Sequence, residues 1–248
     1  YDDLIQWLII VRVYEIEEAE DALVQAMKKL PVRGTVQNDP RRSLFKTFAT
    51  LATEQNKDLL VKGLERDIFP ASWNKTRHNQ LFYKSKFAAA LVRMNDDTGR
   101  TWLLEYMKWH LDHLHQGTKD RWGRIVIGQL ADAKLMEQIK DMKNEPRYKR
   151  LVFQREIDAT VLQMTVNAKP IDELRAIAKN TDFDEVGKTR TQAILMLGAI
   201  GEWSDRDLLA EINNFPPQHT EANATLRQAR GRALCLINAR HWRPGAKD

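Results

Sequence analysis

Asp184-Glu185-Val186-Gly187-Lys188-Thr189-Arg190-Thr191-Gln192-Ala193-Ile194-Leu195-Met196-Leu197-Gly198-Ala199-Ile200-Gly201 is the stretch whose reading decides the fold, together with Ser204-Asp205 and Leu208-Leu209 that follow it. Apolar residues three and four apart mark a helix with one apolar face. The stretch starts acidic and ends on small residues, which let a second helix pack close and let the turn take left-handed angles. Trp203-Ser204-Asp205 offers a cap, and a second stripe follows at Leu208, Leu209 and Ile212. The unit is therefore helix, tight turn, helix.

Outside this stretch the same unit returns. Apolar anchors near the end of each first helix fall at Tyr14, Leu51, Met94, Leu130, Met164, Ile200 and Ile237, spaced by 37, 43, 36, 34, 36 and 37 residues. Three positions earlier stand Val11, Phe48, Leu91, Ile127, Val161, Leu197 and Leu234. Second stripes include Leu59, Leu60 and Leu64; Trp102, Leu103 and Tyr106; Leu135, Met136 and Ile139; Ile171, Leu174 and Ile177. One such pair cannot bury its own apolar stripe, so neighbouring pairs must stack. The breaks carry matching chemistry. Asn95-Asp96-Asp97-Thr98-Gly99 ends one helix and caps the next, Pro170 stands where a second helix begins, and Phe215-Pro216-Pro217-Gln218 forces an extended connection.

The stretch from Asp184 to Asn213 resembles a HEAT-like repeat: an acidic start, a Val and an Arg, then Ala, Leu-Gly and Ile-Gly, then an acidic turn and paired leucines. Arg121 to Leu130 keeps the glycine before an apolar anchor, and Ser85 to Met94 keeps the alanine-rich face. The first two units match by period alone. The resemblance implies an all-α chain, a right-handed α-α superhelix of about six to seven helical hairpins, with residues 1–248 as a single domain. It implies no single activity, since members are mostly scaffolds and adaptors, with a few lyases and base-excision enzymes.

Composition sets wider bounds. Apolar residues make up 43% of the 248 and charged residues 29%, a globular and not a disordered composition. The net charge of +5 permits an anionic partner without requiring one. Cys235, the one cysteine, excludes an intramolecular disulfide and a cysteine-based metal site, and its apolar surroundings predict a small core residue. The longest apolar stretch, Leu4 to Val13, is far too short for a membrane span. The chain begins at Tyr1 and not at Met, which leaves a removed leader and an excerpt of a longer protein both open. A cytoplasmic location is the first expectation and an exported mature chain the alternative.

Three groups of residues are candidates for function. The first is Glu105, Trp109, His110, Asp112, His113 and His115, where His110 and His113, three apart, share a helix face and form a weak metal-ligand candidate. The competing reading is a polar helix end. The second comprises the basic clusters: Arg41, Arg42 and Lys46; Lys143, Arg147, Lys149 and Arg150; and Arg227, Arg230, Arg232, Arg240, Arg243 and Lys247, with Tyr148 and Trp242 placed to stack on bases. Ordinary solvated helix faces explain these equally. The third is the tryptophans. Trp7 and Trp102 are expected in the core, whereas Trp73, Trp109 and Trp203 lie nearer turns and helix ends, where exposed rings become binding hot spots.

No nucleophile elbow, P-loop or dinucleotide fingerprint is present. The expectation is a non-enzymatic scaffold or adaptor without a cofactor. Its second helices would line a concave face that grips a protein or peptide, with binding residues Trp102, Tyr106, Trp109, Arg147, Tyr148, Arg150, Trp203, Arg240 and Trp242. Nucleic-acid binding through the basic clusters, and a metal or lyase-type enzyme centred on His110 and His113, stay open as alternatives.

Overall fold

The computed structural model describes residues 7, 8, 10, 11, 16–29, 41–65, 77–114 and 122–241. Among these residues every regular element is helical. The α-helices are α1 (Glu20–Lys29), α2 (Arg41–Leu51), α3 (Lys57–Glu65), α4 (Arg77–Arg93), α5 (Asp97–Asp112), α6 (Trp122–Gly128), α7 (Ala133–Asp141), α8 (Leu151–Asn167), α9 (Ile171–Lys179), α10 (Phe183–Val186), α11 (Arg190–Ile200), α12 (Asp205–Glu211) and α13 (Thr220–His241). No described helix is long and apolar enough to cross a membrane. The chain divides into two compact units, Tyr1–Val161 and Leu162–Asp248, with the division falling inside α8.

In the first unit the extensive contacts join helices close in the chain: α1 with α2, α2 with α4, α3 with α4, α4 with α5 and α6, and α5 with α6 and α7. The cause is the spacing of large apolar residues. Phe45 and Phe48 on α2 meet Tyr83 and Phe87 on α4, and all four are buried, as are Leu44 and Leu91. Phe87 receives Phe45 and Phe48 edge-on at 6.0 and 6.1 Å between ring centres, a favoured aromatic geometry. Burial of this kind is worth roughly 25 cal/mol per Å² of apolar surface and holds these helices together.

The turn from α4 to α5 follows the sequence closely. Asn95 sits in the left-handed region at φ 57°, which asparagine tolerates. Its N–H donates to Val92 O at 2.9 Å, and the Asp96 N–H donates to Leu91 O at 2.9 Å. Asp96 then turns round and accepts from Thr98 N at 2.7 Å, so one residue closes α4 and opens α5.

The second unit packs α11 against α9 and α13, and α12 against α13. Its core includes Leu174, Ala178, Ala193, Ile194, Leu197, Leu209, Phe215, Leu226, Ala233 and Ile237. Gly198 sets the α11–α13 distance, because a side-chain carbon there would fall 2.5 Å from the Ala233 Cα.

Several expectations need correction. Gly201 has φ −67° and is not left-handed; glycine is required because an added carbon would collide with Leu197 O and approach Asp205 Oδ2 at 2.8 Å. Ser204 makes no capping hydrogen bond; Asp205 instead accepts from Glu202 N at 2.8 Å and ties the turn. The quoted stretch is two helices and not one, since α10 ends at Val186 and α11 begins at Arg190. Ile200 is 50% exposed, with Leu197 three residues earlier taking the buried position. Cys235 is exposed, because α13 buries Leu226, Ala229, Ala233 and Ile237 and so turns Cys235 and Leu236 outward. Trp7 is exposed and Trp102 half-buried, so neither is a core residue. The anchor Tyr14, together with Trp73, lies outside the described residues.

Candidate functional site

Trp102, Tyr106 and Trp109 of helix α5 and its C-cap residue His113 follow at spacings of four, three and four, which places them along one face. Their rings form a continuous strip. Trp102 stacks on Tyr106 at 5.6 Å, Tyr106 meets Trp109 at 5.7 Å, and Trp109 stacks on His113 at 4.5 Å. Tyr106 is buried, while Trp102, Trp109 and His113 are half-buried, so the strip is rooted in the core and shows part of its surface to solvent. His113 Nδ1 lies 2.8 Å from Trp109 O. A carbonyl only accepts, so Nδ1 carries the hydrogen and the ring is pinned against Trp109.

His110 points elsewhere. It is buried, with neither ring nitrogen in a hydrogen bond, and its Nε2 lies 3.7 Å from the Glu156 carboxylate on α8. Arg124 on α6 approaches the same carboxylate at 3.3 Å. The two histidines expected to share a metal therefore serve different surroundings. Among the described residues no three His, Cys, Asp or Glu side chains converge as a ligand set. His115 lies outside the described residues.

The structure joins the end of α5 to the turn before α8. Arg147 reaches Asp112 at 3.8 Å and Glu145 at 3.0 Å, and its guanidinium lies 4.5 Å over the Tyr148 ring. Burial works against the Arg147 charge, but Glu145 and Asp112 outweigh it and hold the pKa above its ordinary value. Tyr148 is fully buried and edge-on to Phe153 at 5.8 Å. Burial and the Asp112 charge push its pKa well above the usual phenol range. Tyr148 therefore presents no face to a base or a partner, which corrects its placement among the binding residues. Lys143 pairs with Asp158 at 2.6 Å, so the basic cluster is partly neutralised. Arg150 is exposed.

In the second unit Trp203 is 44% exposed, with the Arg206 guanidinium 4.9 Å over its ring and His241 edge-on at 6.1 Å. Arg240 belongs to α13, but its side chain is outside the described residues, as are those of Arg41 and Arg42; Trp242, Arg243 and Lys247 lie outside them entirely.

Three buried or half-buried arginines escaped the sequence reading. Arg100 binds the Asp132 carboxylate through Nε at 3.1 Å and Nη2 at 2.8 Å, Asp97 at 2.8 Å, and the Asn95 side chain. Asp132 also caps α7 by accepting from Leu135 N at 2.7 Å. The Asp132 hydrogen bond overcomes burial and raises the Arg100 pKa; burial would raise that of Asp132, but Arg100 and Leu135 N–H bring it below the ordinary carboxylate value. Arg175 repeats the arrangement on α9, with Asp205 at 2.7 Å, Asp172 at 2.9 Å and Glu202 at 3.2 Å. The signal was present as Asp97-x-x-Arg100 and Asp172-x-x-Arg175, followed by an Asp 32 and 30 residues beyond each arginine. Arg190, fully buried, donates to Ala178 O at 2.9 Å and Asn213 O at 2.7 Å.

The site presents stacked indole and imidazole faces, with charged groups held in fixed pairs beside them. Comparison with protein-family models, with curated proteins and with solved structures gives no match, so the chain's own residues carry the functional argument.

Proposed function

We propose that the chain is a non-enzymatic scaffold or adaptor of the HEAT-like kind, a right-handed α-solenoid of six to seven hairpins whose second helices grip a protein or peptide. The observation that carries this reading is the strip of Trp102, Tyr106, Trp109 and His113 on α5, the second helix of its pair. Rooted, partly exposed aromatics contribute large contact area at little entropy cost, which is why they dominate binding hot spots. The recurring unit is supported by a chain of ion pairs, Lys57 to Asp96, Arg100 to Asp132 and Arg175 to Asp205, each from a second helix to the start of a later one. Nucleic-acid binding has less support, because Lys143 and Arg147 already face Asp158, Glu145 and Asp112.

Selection of a random peptide library on the immobilised chain tests the proposal. Related peptides should be enriched, and Trp109→Ala should weaken them by at least about tenfold while the circular dichroism spectrum is kept. A library that yields no enrichment, or peptides indifferent to Trp109, would overturn it.

A further inference from the structure

The junction between the turn and α8 carries a different kind of surface. Lys149, Arg150, Leu151 and Val152 are consecutive and all exposed, Leu151 at 64% and Val152 at 44%. Four exposed side chains in a row mark a corner that projects past its neighbours. Arg155, one turn on from Leu151, is exposed on the same face of α8. The inner side of the corner is fixed. Tyr148 and Phe153 are buried against each other, and the Gln154 amide donates to Tyr148 O at 2.7 Å and to Lys143 O at 3.3 Å. The charges fall into two sets. Lys143 is paired with Asp158 and Arg147 with Glu145. Lys149, Arg150 and Arg155 make no side-chain hydrogen bond or ion pair among the described residues. Three uncommitted cations therefore flank two aliphatic side chains that stand in water.

We propose that this corner docks on an anionic bilayer surface, with Leu151 and Val152 dipping into the acyl boundary and Lys149, Arg150 and Arg155 on the headgroup phosphates and carboxylates. Charge complementarity selects an anionic headgroup. The aliphatic tip selects a surface with hydrocarbon beneath it, which a nucleic-acid backbone lacks. A projecting corner suits a broad, yielding surface, whereas a peptide is gripped by a groove or a sheet edge. Because the inner side is already fixed, docking orders little of the chain. The proposal goes beyond the peptide-binding reading and does not rest on it.

The test is co-sedimentation at low salt with two kinds of vesicle, one of phosphatidylcholine and one of phosphatidylcholine mixed equally with phosphatidylserine. The chain should bind the mixed vesicles and not the neutral ones. Arg150→Ala should weaken binding about fivefold, and Leu151→Ser about tenfold. Both side chains are exposed, so the circular dichroism spectrum should be kept. Arg232, exposed on α13 and without a side-chain partner among the described residues, reports the general attraction of a basic chain. Arg232→Ala should cost much less than Arg150→Ala. Equal binding to both vesicles, binding to neither, indifference to Leu151→Ser, or equal losses for Arg232→Ala and Arg150→Ala would each overturn the proposal. So would a single-stranded oligonucleotide that bound more tightly and depended on Arg150 but not on Leu151, which would assign the corner to nucleic acid. An acidic, leucine-containing peptide that bound with both dependences while the mixed vesicles did not would assign it to a protein partner instead. Neither substitution touches the α5 strip, so either proposal can fail without the other.

Discussion

Arg100 in the first unit and Arg190 in the second face one problem, a guanidinium removed from water, and meet it with different partners. Arg100 is surrounded by carboxylates, Asp132 and Asp97. Arg190 has none: it donates to Ala178 O, within the last turn of α9, and to Asn213 O, just beyond α12, and lies 4.8 Å over the Phe215 ring. The Ala178 carbonyl belongs to a helix C-terminus, whose unpaired carbonyls carry partial negative charge, and the Asn213 carbonyl adds a second backbone dipole where Arg100 has carboxylates. The compensation is incomplete. Nη1 of Arg190 makes no hydrogen bond, and burial lowers the Arg190 pKa where that of Arg100 is raised. Backbone dipoles can thus hold a buried charge, but they hold it at a higher electrostatic cost than a side-chain pair.

The largest effect should come from breaking the dipole-held site. Arg190→Ala removes a fully buried side chain and strands two carbonyls, so we expect a loss of about 4 kcal/mol. Hydrogen exchange should show the loss in peptides of Leu162–Asp248 first.

Arg100→Ala should follow, at about 3 kcal/mol, because it leaves Asp132 half-buried but still bonded to Leu135 N–H. Its pH dependence sharpens the comparison. Hydrogen bonds from Lys134 and Arg100 lower the Asp97 pKa, and Arg100 lowers that of Asp132 against burial. Stability from lowered carboxylates is complete above their unfolded values, about pH 4, and is lost as pH falls through the folded values. Thermal melts of the wild type should therefore fall steeply below pH 4, and those of Arg100→Ala should fall less. A parallel decline in both proteins would break the assignment.

The smallest effect belongs to Arg175→Ala. Its side chain is 24% exposed, so water competes for it, and the buried Asp205 that it leaves behind keeps the hydrogen bond from Glu202 N. Its melting temperature should drop well less than that of Arg100→Ala.

Much of the architecture was visible in the residues. The 3.6-residue spacing marked the helices, and Asn95-Asp96 and Pro170 marked boundaries that the structure keeps. What escaped was the direction of faces and the contacts between elements. Ile200 and Leu197 sit three apart on one helix face, and only the neighbour decides which is covered. Arginine reads as a surface residue, so the burial of Arg190 had no signal of its own. For the candidate site, the periodic aromatics of α5 were legible because they lie on one element. Asp112 and Arg147 were singled out separately, and their meeting depends on how α5 and the turn before α8 pack. Tyr148 was misplaced for the same reason, since the contact that covers it comes from tertiary structure.

Cys235 stands on the outward side of α13 and is the chain's one cysteine. A maleimide dye will therefore attach at a single defined spot without disturbing the packed interior, giving a ready optical handle for every titration above. The same thiol means that the one disulfide a pure preparation can form joins two chains, and a reductant in storage buffers will prevent it.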